Sequence, residues 1–139
     1  MPTPTALALT GFIAWTLALL ILMEVLRARL VMTGRVAANG FVPDNANLSP
    51  FMQRLARAHA NCLEGLPIFG GLMLVALATG RNGVTDPLAF VLLGARLVQS
   101  GIHLASVGPR AVTLRFVAFA LQMGIAAVWA VSLLTTLRT

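Results

Sequence analysis

Long apolar runs alternate with short polar breaks along the whole chain, and the pattern predicts four helices. The first spans about Ala6 to Leu26, preceded by Pro2 and Pro4 and closed by Glu24, Arg27 and Arg29. A polar connection follows from Thr33 to Pro50. It holds Gly34, Asn39, Gly40, Pro43, Asp44, Asn45 and Asn47, residues that favour turns and break helices. Ser49-Pro50 reads as an N-cap with proline at the first helical position. It opens a second span to about Ala78, polar in its first half and interrupted by Pro67. Gly80-Arg81-Asn82-Gly83 predicts a short turn. The third span covers about Pro87 to Ala105, Val107-Gly108-Pro109 breaks it, and the fourth runs from about Arg110 to Leu137. No internal repeat or low-complexity segment is visible.

Each run is long enough for a bilayer core of about 30 Å, which takes roughly 20 apolar residues per helix. Of the 139 residues 58% are hydrophobic and 10% charged, well below the roughly 25% charged of a soluble domain. A soluble core of this size leaves much of its surface wet, whereas lipid covers it. The pattern therefore predicts an all-α integral membrane four-helix bundle, one domain over residues 1–139. The first run has no positive charge before it and outlasts a signal-peptide core of about 7–15 residues, so a retained span is expected.

The net charge is +6 and every Lys or Arg is an Arg. These residues sit at span ends and inside spans, without the basic stripe and interleaved aromatics of a nucleic-acid binder. Arg27, Arg29, Arg35, Arg54 and Arg57 flank the first connection and Arg110 and Arg115 the third, against Arg81 in the second and Arg138 in the tail. This bias predicts cytoplasmic first and third connections and non-cytoplasmic termini. The single Cys62 makes no intrachain disulfide.

Charged side chains within a span cost about 2.5–3.5 kcal/mol or more at the bilayer centre, so they are rarely idle. In the second span Arg54, Arg57, Asn61 and Glu64 follow at steps of three, four and three, which puts them on one helix face. Leu55, Ala58, Leu63 and Leu66 cover much of the rest. Two cations, an amide and a carboxylate make a ladder for a zwitterionic or anionic ligand. The alternative is a structural network in which Arg57 pairs with Glu64 or a neighbouring helix. The third span repeats the stripe in Arg96, Gln99 and His103, with Ser100 and Ser106 near that face. Two facing stripes describe a lined cavity, interhelical hydrogen bonding being the alternative. Arg110 opens the fourth span, with Arg115 about one and a half turns further in. It is either a carboxylate or thiolate partner or an interfacial anchor.

Other residues invite plainer readings. His59 lies off the Arg57–Glu64 face and reads as a helix-contact histidine, and Cys62 as a buried small apolar residue. His59 and His103 are on different spans with no carboxylate pair at ligand spacing, so no metal is expected. Gly65, Gly70 and Gly71 read as close-packing positions, and Phe51, Phe69, Phe116 and Phe119 as lipid or core contacts.

The run Arg57-Ala58-His59-Ala60-Asn61-Cys62-Leu63-Glu64-Gly65-Leu66-Pro67 resembles the signature of the MAPEG family, the membrane-associated proteins of eicosanoid and glutathione metabolism, whose second helix carries R-A-H-x-N-x-x-E closely followed by Pro. Gly94-Ala95-Arg96 resembles the opening of that family's third helix, and Pro109-Arg110 its entry to helix four. The resemblance covers most of the chain and is loose over the first span and connection. It implies a homotrimer of four-helix subunits, of the bacterial type and expected in an inner membrane, with glutathione bound between subunits near the cytoplasmic face.

Carried over by position, Arg57, Asn61 and Glu64 fall on glutathione-binding positions, and Arg110 near the Arg that holds and activates the thiol. A basic residue at the end of helix one also contributes, here Arg35 or Arg29. Arg96, Gln99 and His103 complete the expected lining. Family enzymes commonly carry a Tyr late in helix three. This chain has no Tyr; His103 stands there, and Gln99 replaces the usual His one turn earlier. The implied reaction is addition or substitution by the glutathione thiol on a lipophilic electrophile, or hydroperoxide reduction. A non-enzymatic relative and a small four-span transporter relying on Glu24 are the rival readings. Glu24 sits at the span end, one turn before Arg27, which disfavours the transporter.

Overall fold

A computed structural model describes residues 1–139 as four long helices: α1 (Pro4–Met32), α2 (Pro50–Ala78), α3 (Asp86–Ala105) and α4 (Pro109–Thr136). A 3-10 turn, Asn82–Val84, joins α2 to α3. All four helices are long and apolar enough to cross a membrane, with mean hydropathy from 1.5 to 2.3 over their best windows. There are no strands. The bundle is ringed by exposed Leu7, Ile13, Leu17, Ile21, Phe90 and Val131 among other large apolar residues, a surface for acyl chains rather than water. The chain is an integral, multi-pass membrane protein.

The helix starts follow local chemistry. The Thr3 side chain accepts from Ala6 N at 3.1 Å with Pro4 behind it. Ser49 accepts from Met52 N at 3.3 Å ahead of Pro50. Each cap satisfies an N–H that the helix cannot. α1 continues past the expected Leu26 through Arg27 and Arg29 to Met32. The long Arg stems reach from helix to interface, and a cation in the last turn faces the negative end of the helix dipole. Positive φ at Gly34 (71°) then turns the chain.

Pro67 does not break α2, which runs unbroken to Ala78 with the ring exposed on its surface. The expected turn at Gly80–Gly83 is tighter than a loop: Gly80 takes φ 67° and Asn82–Val84 coils into the 3-10 turn.

Asn45 organises the long first connection. It is fully buried at φ 56°, a region that Asn tolerates better than most residues. Its Nδ2 donates to the Met52 carbonyl at 2.8 Å, and its Oδ1 accepts from Arg27 Nε and Nη2 at 3.1 and 2.6 Å. Arg27 also holds Glu24 at 3.1 Å, the one ion pair in the chain. Glu24 is thereby engaged within α1, about two turns before its end. At the opposite face of the bundle the starts of α1 and α3 are tied together. Asp86 Oδ1 accepts from Thr5 N at 3.0 Å, and Thr5 and Thr85 hydroxyls meet at 2.7 Å.

The core holds Phe12, Leu55, Phe69, Met73, Leu92 and Trp129, drawn from all four helices. α3 packs against every other helix, while α2 and α4 splay apart. That gap positions the site.

Candidate functional site

The ladder expected on α2 divides into two. Arg54 turns inward and donates from Nε to the Leu104 carbonyl at 2.8 Å, closing the end of α3. Arg57 and Glu64 are exposed on the outer face, neither with a hydrogen-bond or ion-pair partner in the chain. They do not pair with each other, so that structural alternative is excluded within the subunit. Asn61, between them, is half-buried.

The α3 stripe lies inside. Arg96 is fully buried, and Gln99, Ser100 and His103 nearly so. Arg96 is clasped between the Phe12 and Phe69 rings, 5.2 and 5.5 Å from its guanidinium carbon. Such contacts are worth about 0.5–2 kcal/mol each and offset part of the burial cost. Gly65 makes room for it: a Cβ there would lie 2.7 Å from Arg96 Nη2. Arg96 Nη1 donates to Asn61 Oδ1 at 2.6 Å, and Gln99 Nε2 donates to the same oxygen at 3.0 Å. Gln122 Nε2 donates to Gln99 Oε1 at 2.8 Å. The two stripes thus meet only in part: Asn61 shares a small cavity with Gln99 and His103, while Arg57 and Glu64 lie outside it. One is a buried network, the other an outward surface, and Asn61 joins them.

Two cavities meet at Asn61. A groove of about 730 Å³ runs between α2 and α4, lined by Asn61, Glu64, Pro67, Ile68, Phe119 and Met123 among others. A smaller cavity of about 190 Å³ is lined by Asn61, Gln99, His103, Val112, Arg115, Phe116 and Phe119. Asn61 and Phe119 belong to both. His103 Nε2 and Arg115 Nε are buried with no hydrogen-bond partner, and native structures seldom leave such atoms unpaired without reason.

Other candidates lie apart. Arg110 is exposed and lines a separate recess with Pro109, Thr113 and Leu114. Arg29 and Arg35 line a third cavity of about 370 Å³ beside Thr33, Ser49 and Phe51. His59 is half-buried and makes no hydrogen bond. Cys62 is fully buried, its sulfur 3.3 Å from Ser100 Oγ. No group of His, Cys, Asp and Glu is close enough to hold a metal ion.

The sequence model of the MAPEG family matches residues 5–135. The chain belongs to the MAPEG family. No curated protein and no solved structure gives a significant match.

In this MAPEG protein, sequence reasoning missed Gln122, a fully buried amide at the inner end of the network. A signal was present, since Gln122 is the lone amide in an otherwise apolar stretch of α4. Arg115, and not Arg110, is the α4 cation that shares a cavity with Asn61. The Phe12–Arg96–Phe69 clasp had no sequence signal, because Phe12 lies in the featureless first span. Of the three glycines, Gly65 and Gly70 do sit at close approaches, Gly70 with Leu9 Cδ1 at 3.1 Å from a Cβ position. Gly71 meets nothing within 4 Å in its own chain and instead lines the α2–α4 groove.

Proposed function

We propose that this MAPEG protein binds glutathione at the polar end of the α2–α4 groove and uses its thiol on a lipophilic electrophile, as a transferase or peroxidase. One observation carries the reading. His103 and Arg115, each with an unpaired buried nitrogen, line a small cavity with the half-buried Asn61, and that cavity shares Asn61 and Phe119 with an apolar groove. A polar thiol peptide and an apolar co-substrate need that pairing of surfaces.

Glutathione carries two carboxylates, an ammonium and a thiol. Arg57 forks a carboxylate, Glu64 takes the ammonium, and Asn61 binds a backbone amide. Arg35 or Arg29 reaches the site from a neighbouring subunit of a homotrimer, whose contact also covers the exposed Arg57 and Glu64. A thiol has a pKa of about 8.5, and a nearby cation lowers it, raising the reactive thiolate at neutral pH. Arg110 is the proposed source of that cation, with Arg115 and His103 as the groups already in the cavity. In substitution the thiolate sulfur forms a bond to the electrophilic carbon and the leaving group departs with its electron pair. In addition the adjacent carbon takes the proton. In hydroperoxide reduction two thiols become a disulfide while the hydroperoxide becomes an alcohol and water.

A specific departure favours a second reading, a glutathione-binding relative without turnover. The chain has no Tyr, and Arg110 lies outside the Asn61 cavity of its own subunit.

Titration calorimetry of the protein in lipid nanodiscs, with glutathione and its S-methyl analogue, tests binding. Ultraviolet difference spectra test activation. Wild type should show thiolate absorbance at neutral pH, and Arg110→Ala should remove much of it while retaining part of the binding. Binding without a thiolate signal supports the relative without turnover. A signal that survives in Arg110→Ala but not in Arg115→Ala moves the activating role to Arg115.

A further inference from the structure

Arg96 is the one fully buried charged side chain, and no carboxylate pairs with it. A guanidinium offers five N–H donors and no acceptor, and it keeps its charge in a protein. Whatever atom of Asn61 meets Arg96 Nη1 at 2.6 Å must therefore be the carboxamide oxygen. That orientation forces the next. Gln99, sharing the same oxygen at 3.0 Å, must present its nitrogen, and its own oxygen then faces the Gln122 nitrogen at 2.8 Å. Amide oxygen and nitrogen are nearly interchangeable in shape, so only hydrogen bonding orients such groups. Here one donor-only residue sets the direction of three amides on α2, α3 and α4.

The consequence appears at the open end of the chain of bonds. Asn61 Nδ2 makes no hydrogen bond within the chain, on a residue that lines both cavities. An unconstrained Asn reads either a donor or an acceptor by turning over. Asn61 cannot turn without setting its own N–H groups against the guanidinium. We infer that Arg96 is a positioning residue that locks Asn61 as a one-way donor toward the cavities, so that the site selects a ligand presenting an acceptor there. A peptide carbonyl, a carboxylate or a thiolate fits, and a donor-only group such as an ammonium is rejected. The buried charge behind Asn61 polarises its carboxamide and favours an anionic acceptor over a neutral one. The identity of the ligand rests on the glutathione reading; the orientation of Asn61 does not.

Asn61→Asp separates the two. An aspartate keeps the oxygen that Arg96 and Gln99 need and adds the missing countercharge, but presents an acceptor to the ligand. Wild type, Asn61→Asp and Asn61→Leu are compared in nanodiscs by thermal unfolding, by isotope-edited infrared spectroscopy and by glutathione calorimetry. Asn61→Asp should melt at or above wild type, show ionised carboxylate bands at residue 61, and lose glutathione affinity by about tenfold or more. Asn61→Leu should melt below both, since it leaves Arg96 buried with only the longer 3.4 Å bond to the residue 61 carbonyl in place of the 2.6 Å side-chain bond. Undiminished affinity in Asn61→Asp overturns the one-way donor. A protonated carboxyl band there, or a melting point no higher than that of Asn61→Leu, overturns the role of Arg96. If wild type binds no glutathione, the proposed function falls, and the infrared and melting results alone decide the orientation.

Discussion

Replacing Gly65 by Ala should loosen the site without touching any ligand. Gly65 is buried on α2, and an added Cβ would stand 2.7 Å from Arg96 Nη2 and 3.0 Å from the Phe69 ring edge. Comfortable contact begins at about 3.5 Å. The guanidinium tip of an Arg normally swings away at little cost, but this one is held by the Phe12 and Phe69 rings and by Asn61. A shift of that size stretches the 2.6 Å bond to Asn61 Oδ1 toward the limit of about 3.2 Å for such bonds. Overpacking of this kind costs about 1–3 kcal/mol, and weakening a charged hydrogen bond adds up to roughly 1.5–3 kcal/mol. Helix propensity acts oppositely, favouring Ala over Gly by about 1 kcal/mol. The net expectation is a loss of up to about 5 kcal/mol, with weaker glutathione binding because Asn61 loses its clamp. Gly71→Ala is the matched control. It lies on the same helix with nothing within 4 Å, so it should be neutral or stabilising. Both variants are read by reversible denaturant unfolding in mixed micelles and by calorimetry. A Gly65→Ala protein as stable as Gly71→Ala would refute the clasp around Arg96.

Arg57→Leu should abolish glutathione binding yet leave a trimer in native mass spectrometry, because Arg57 makes no bond within its own chain; unchanged affinity returns this residue to a structural role, and a monodisperse monomer of the wild-type protein counts against the trimer. Single cysteines at Thr3 and Thr139 in a Cys62→Ser background should react with an impermeant maleimide in intact cells, since the Arg bias predicts both termini outside; labelling only after the cytoplasm is opened reverses the topology.

The four spans are legible because lipid imposes a length and an apolarity on each, and the Ser49-Pro50 start of α2 is legible because capping is local. The end of α1 was read too early. Arg27 and Arg29 look like stops to a hydropathy pattern, but one holds Asn45 and the other sits in the last helical turn. Pro67 looked like a break, yet a proline removes one backbone bond without ending a helix that neighbours hold in place. At the site, a period of 3.6 correctly grouped Arg57, Asn61 and Glu64. Periodicity identifies a face, not its neighbour. Nothing in the spacing of Arg96, Gln99 and His103 distinguishes a stripe turned into the bundle from one turned out, and Gln122 belongs to no stripe.

That division has its own energetic meaning. The inward residues find partners in one another in part: a guanidinium, two carboxamides and an Asn oxygen exchange hydrogen bonds across three helices, while Arg96 Nε and Nη2 and Gln122 Oε1 stay unpaired. The outward Arg57 and Glu64 find none, on a subunit whose exterior is otherwise mostly apolar. Each ion left against hydrocarbon costs at least about 2.5–3.5 kcal/mol at mid-membrane, and pairing the two with each other would have been the simplest relief. The chain instead holds them apart on either side of Asn61. Such an arrangement is stable only where water, a ligand or another subunit meets that face. Asn61 is the point at which the buried half, its amides oriented by Arg96, touches the exposed half without partners in the chain. Whatever binds there meets unpaired charges at Arg57 and Glu64 but an oriented dipole at Asn61, so the charges attract and the amide selects.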